Sequence, residues 1–130
     1  MALLVADFYE VCHVTSIREL EVALGRRYGP CANHFWISHD QEKNPTLAMF
    51  VKGDLASLTY FPNDSHPGFT SIGAIEGLNP DETSIFYMDS PTQEQEVLNS
   101  SIVTFPTALN VAREFFSSKE LPRAIQWFEL

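Results

Sequence analysis

From residue 53 to residue 112 the chain has no lysine and no arginine. Over all 130 residues it has 8 basic against 17 acidic side chains, a formal charge of −9. Proteins that grip nucleic acid neutralise phosphates with cations, so direct nucleic-acid binding is excluded, as is adhesion to an anionic membrane surface. There are only two cysteines, Cys12 and Cys31. Two thiols make no disulfide framework and suit a reducing compartment. No stretch approaches the roughly 18 apolar residues of a membrane span. The opening MALLVA lacks a basic n-region and reaches about half the apolar length of a signal-peptide core. Together these predict a cytoplasmic protein. A Gly-rich phosphate loop, a His-Glu-x-x-His helix and a nucleophile elbow are absent too, which removes the best-marked enzyme classes.

What is present is a core and an uneven charge map. Apolar residues make up 45% of the chain, with ten Phe, four Tyr and two Trp. That is enough for one packed domain spanning 1–130, and too little chain for two. Residues 1–52 carry five basic and six acidic side chains and residues 113–130 three of each, so the other −8 falls in 53–112. It is carried by Asp54, Asp64, Glu76, Asp81, Glu82, Asp89, Glu94 and Glu96. Such carboxylates either sit on solvated loops and keep the protein dispersed or form a surface that meets cations on another protein.

Periodicity predicts the elements. Residues 7–14 (DFYEVCHV) alternate as a first strand with Tyr9 and Val11 on its bulkier apolar side. Ser16 and Glu19 form a capping-box signature, and Ile17, Leu20, Ala23 and Leu24 follow at helical spacing up to Gly29-Pro30. Residues 33–39, 46–52 and 55–61 read as strands, the last two joined by a tight Lys52-Gly53-Asp54 turn. Residues 62–68 are loop by composition, 69–76 and 83–89 are strands, and the polar, acidic 90–100 is a long loop. Pro106 suits the first turn of a second helix whose stripe is Ala108, Leu109, Ala112, Phe115 and Phe116. Residues 124–130 (AIQWFEL) close the chain as a strand. The order β-α-β-β-β-β-β-α-β predicts an α+β domain: a mainly antiparallel sheet of five to seven strands with two helices on one face. Phe35, Trp36, Phe115, Phe116, Trp127 and Phe128 are expected in its core. Some of the aromatics within 53–112 are left over as contact residues, since interface centres favour aromatics inside a polar rim.

Chemistry finds little support. Cys31-x-x-His34 has ligand-like spacing, but Cys12 and His13 are strand neighbours that point to opposite faces, so a zinc tetrahedron lacks a ligand. A Cys-His nucleophile pair meets the same obstacle. His66, before Pro67-Gly68, reads as a turn histidine with its ring bonded to a backbone group. Asp81-Glu82 reads as a solvated turn. The expectation is no metal, no cofactor and no catalysis.

Three segments occur together: His66-Pro67-Gly68-Phe69-Thr70-Ser71-Ile72-Gly73, Ala112-Arg113-Glu114-Phe115-Phe116, and 121–129 (LPRAIQWFE). In that order they resemble an immunity-protein family of bacterial polymorphic toxin systems, often found beside nucleic-acid deaminase toxins. The resemblance covers residues 33–130, while 1–32 share only the strand-helix order. It implies a small cytoplasmic protein that binds one cognate toxin domain and blocks its active site, without cofactor or catalysis. Gly68, Gly73, Pro122 and Trp127 are then architectural positions. A toxin acting on DNA or RNA needs a basic groove, and a cation-free acidic surface with aromatic anchors fits it. The contacts expected on this ground are Asp64, His66, Phe69, Glu76, Asp81, Glu82, Asp89, Glu94 and Glu96. The competing expectation is an acidic adaptor or nucleic-acid mimic that binds a basic housekeeping protein.

Overall fold

The computed structural model describes residues 2–130; Met1, which opens the short apolar start, lies outside the described residues. The chain runs β1 (Leu3–Ala6), β2 (Val11–Val14), α1 (Ile17–Leu24), β3 (Ala32–His39), β4 (Thr46–Lys52), β5 (Leu55–Phe61), β6 (Phe69–Ser71), β7 (Thr83–Tyr87) and β8 (Glu94–Leu98). A 3₁₀ turn (Asn99–Ser101), β9 (Ile102–Thr104), α2 (Phe105–Ser117) and β10 (Trp127–Glu129) complete it. The main sheet has the order β10-β6-β5-β4-β3-β1-β2, with β9 pairing on β5, and all its pairs are antiparallel. β7 and β8 form a separate antiparallel hairpin. The domain is α+β.

Alternation on the three central strands makes two unlike faces. Phe35 and Ile37, Leu47, Met49 and Val51, and Ala56, Leu58 and Tyr60 point one way and meet Leu20 and Leu24 of α1 and Ala108, Val111, Ala112 and Phe115 of α2. This is the main core. Both helices cover it, and Arg113 pairs with Glu21 to tie them together. The opposite face carries His34, Trp36, Phe50, Ser57, Thr59 and Phe61, in register His34↔Phe50↔Ser57 and Trp36↔Ala48↔Thr59. Only part of it is covered. The β7–β8 hairpin lies over Phe50 with Phe86 and Val97, which join Ile102 in a second, smaller core.

Local chemistry sets the ends of the elements. Ser16 Oγ accepts from the Glu19 N–H at 3.1 Å, while the Glu19 carboxylate reaches back to Thr15 N–H at 2.7 Å. The capping box is therefore present, with its return bond one residue earlier than the motif predicts. Thr104 caps α2 by accepting from Thr107 N–H. Gly53 turns β4 into β5 at φ +57°, a conformation open to glycine without steric cost.

Several expected elements differ. Residues 7–14 are not one strand: the Asp7 carboxylate accepts from the N–H groups of Tyr9 and Glu10 at 2.9 and 3.0 Å, folding 7–10 into a turn between β1 and β2. Tyr9 and Val11, expected on the apolar side, are each 65% exposed. The short apolar start supplies β1, seated between β2 and β3 with Leu3 and Val5 buried. β6 stops at Ser71, because Gly73 leaves the β5 edge to pass under Ile102. Part of the expected loop 90–100 is strand β8. Trp36 and Phe128 are not core: strand parity puts them opposite Phe35 and Trp127, at 39% and 59% exposure.

Candidate binding surface

The uncovered part of the sheet and the hairpin enclose a cleft of about 550 Å³. Thr59 of β5, Thr70 of β6 and Phe128 of β10 lie along its sheet side, and Glu96, Val97 and Leu98 of β8 line the other. Phe128 is opposite Thr70, which is opposite Thr59, so the three side chains stand in one row across the sheet. Ile72 and Leu98 are 42% and 58% exposed beside it. The serines beneath are bonded internally. Ser57 Oγ and Ser101 Oγ are 2.9 Å apart, Ser101 Oγ donates to Leu98 O, and Ser71 Oγ accepts from Leu58 N–H and donates to Ser101 O. Serine hydroxyls paired in this way leave little free hydrogen-bonding capacity to the cleft.

The hairpin is locked over the sheet at its turn. Asp89, at φ +61°, donates its N–H to His34 Nδ1 at 3.2 Å and accepts from Trp36 Nε1–H at 3.3 Å. The His34 ring stacks on Phe50 at 4.2 Å between centroids. Burial pushes the His34 imidazole down from its ordinary pKa, with Asp89 acting in the other direction. Its Nδ1 faces both the Asp89 N–H and, at 3.2 Å, the Asp89 carboxylate. On the inner side of the same hairpin, the Lys52 ammonium donates to Ile85 O at 3.0 Å and lies 5.8 Å from the Tyr87 ring centre.

The nine expected contact residues fall into three groups. Asp89, Glu94 and Glu96 belong to the hairpin, with Glu94 and Glu96 exposed on one face of β8. Asp64, His66 and Phe69 lie around the 62–68 loop. There Asp64 meets Lys43 Nζ at 3.3 Å and Asn44 Nδ2 at 3.1 Å, bonds that lower its pKa. His66 Nδ1 accepts from Gly68 N–H at 2.8 Å and its Nε2–H donates to Glu129 at 2.7 Å, so it is a turn histidine that also fastens β10. Phe69 turns to the helix side and packs against the main core. Glu76, Asp81 and Glu82 are exposed in the connection between β6 and β7, where Asn79 bonds both Asp81 N–H and the Glu82 carboxylate.

The motif positions have physical reasons to be what they are. A Cβ on Gly73 would sit 1.7 Å from Ile102 O, and Gly68, at φ +110°, lies against Phe61 and Thr59. Pro122 O accepts from Trp127 Nε1–H at 2.7 Å. Cys12 Sγ faces Val5 O, whereas His13 points outward to Asp40. Among the described residues no group of three or more His, Cys, Asp or Glu side chains is placed to hold a metal ion, and no helix is long and apolar enough to cross a membrane.

Reasoning from sequence missed Trp36, Ile72, Leu98 and Phe128. Parity was the available signal for Phe128, since it alternates with the core residue Trp127. Leu98 lay in a segment too acidic to read as a strand.

One sheet face of this small α+β domain is packed under helices, and the other is half-open and apolar beside Glu96. No family model matches the chain. It is 27% identical over 124 residues to the double-stranded DNA deaminase immunity protein of Burkholderia cenocepacia (strain H111), covering 95% of this chain and 97% of that one. The similarity agrees with the immunity-protein resemblance carried by 66–73, 112–116 and 121–129, and its span takes in most of residues 1–32 as well.

Proposed function

We propose that this chain is a bacterial immunity protein: it binds a cognate deaminase toxin domain in the cytoplasm and keeps nucleic acid out of its active site. The observation that carries this reading is the near-full-length similarity to a double-stranded DNA deaminase immunity protein. Charge supports it. An enzyme that holds a nucleic-acid strand presents cations around its active site, and the 53–112 stretch that builds the hairpin and much of the cleft has none of its own.

The contacts proposed first are Asp89, Glu94 and Glu96, because the hairpin presents them beside the exposed apolar surface. Asp64, His66, Glu76, Asp81 and Glu82 are proposed as outlying contacts, and Phe69 as a support beneath His66, whose ring stacks on it at 4.8 Å. The protein acts by occupancy, with no catalytic step and no cofactor. The test is co-expression with the toxin domain encoded by the neighbouring gene: the reading expects cell survival and a one-to-one complex on purification. Continued killing, with no complex recovered, overturns it.

A further inference from the structure

Electrostatics steers a partner to this surface but does not hold it, and the cleft between β8 and the sheet is the feature suited to holding. Its exposed apolar groups, Ile72, Leu98 and Phe128, stand around a floor in which the Ser57, Ser71 and Ser101 hydroxyls are bonded within the protein. Apolar area of this kind is unfavourable in water and is relieved by a complementary apolar group. At about 550 Å³ the cleft falls within the ~300–1,000 Å³ range of preformed binding clefts. Among the described residues Glu96 is the one charged side chain in its lining, and Glu94 continues the same face of β8. Neither carboxylate has an ion-pair partner among the described residues.

We propose that this cleft is the anchor site for the toxin domain, taking an apolar side chain of the toxin that is flanked by lysine or arginine. The apolar group enters between Leu98 and Phe128, and the neighbouring cation meets Glu96 and Glu94. This inference rests on the immunity-protein reading and adds to it the site and the chemistry of the element it receives. Charge selects that occupant over others. The carboxylate rim repels nucleic acid and anionic lipid. A second copy of the chain docked cleft to cleft would bring two carboxylate-bearing β8 strands together with no lysine or arginine from 53–112 to meet them.

The experiment measures binding kinetics against a catalytically inactivated toxin domain from the neighbouring gene. The chains compared are the wild type, a Leu98→Ser and Phe128→Ser pair, a Glu94→Gln and Glu96→Gln pair, and Val22→Ser. Val22 is 61% exposed on α1, on the far side of the sheet. The apolar pair is expected to weaken binding about 30-fold or more, chiefly through faster dissociation. The carboxylate pair should slow association several-fold and flatten its salt dependence, and Val22→Ser should stay within about twofold. Thermal melting accompanies each variant. If Phe128→Ser melts early, Leu98→Ser alone decides, since its side chain is 58% exposed on β8.

Wild-type binding with the apolar variants equally tight overturns the cleft assignment and leaves the immunity reading standing. A wild-type dimer dissolved by Leu98→Ser also overturns it, in favour of a second copy as occupant. A wild type that fails to bind removes the immunity reading and this inference together.

Discussion

The backbone N–H of Asp89 donates to Nδ1 of His34, whose side chain is only 2% exposed, so the hairpin turn is fastened to the sheet through a neutral imidazole. Burial holds that imidazole below the ordinary value of about 6.5. The unfolded chain therefore binds a proton that the folded chain refuses. Stability from this source is full above about pH 6.5 and falls as the pH drops below it, until the folded imidazole itself protonates. His39, buried with its Nε2–H donating to Phe115 O at 3.0 Å, is shifted the same way by burial. Urea midpoints are expected to be lower at pH 5.5 than at pH 7.5, with a smaller difference in His34→Gln. The lowered carboxylates Glu19, Glu42 and Asp64 act only below about pH 4.5, outside that interval. Equal midpoints at the two pH values would contradict the lock.

The other half of the lock is the Asp89 carboxylate on the Trp36 indole at 3.3 Å. Asp89→Asn keeps an acceptor and tolerates the left-handed backbone, and is expected to leave stability and Trp36 emission unchanged. Asp89→Ala loses the acceptor and strains φ, costing about 1 kcal/mol and shifting Trp36 emission to the red as the hairpin loosens. Chemical denaturation and fluorescence read both effects. An Asp89→Ala protein as stable as the wild type would show that the turn is held by its backbone alone.

Gly73 has no room for a side chain. Its N–H donates to Ser100 O at 2.8 Å, and an added Cβ would lie 1.7 Å from Ile102 O. Gly73→Ala has to push β9 away from the end of β6, at a cost of about 3 kcal/mol or more. The check is the change in unfolding free energy. A loss under about 1 kcal/mol would mean that the crossing relaxes easily.

Much of this architecture was legible because its signals are local and strong. The Ser16–Glu19 cap, the Pro106 helix start and the Gly53 turn each follow from the chemistry of two or three residues. What stayed hidden depends on partners far along the chain. β1 is four apolar residues whose strand character comes from pairing with β2 and β3. β8 carries two glutamates among five residues and is held chiefly by Val97 in the smaller core and by its pairing with β7. The same limit applies to the surface. Counting charges located the cation-free stretch, but could not show that folding lends Asp64 the cation of Lys43. The apolar cleft could not be read without knowing that β10 returns beside β6, which brings Phe128 into line with Thr70 and Thr59.

Neutralisation by occupancy has a stoichiometric signature that a titration reads. The purified chain is added in steps to the toxin domain of the neighbouring gene while deamination of DNA is followed at toxin concentrations well above the dissociation constant. Occupancy gives a linear fall in activity that reaches zero at one chain per toxin domain, with the inhibited complex recovered intact. Full inhibition at a small fraction of one equivalent would point to catalysis, and undiminished deamination at a large excess would mean that this chain is not the toxin's inhibitor.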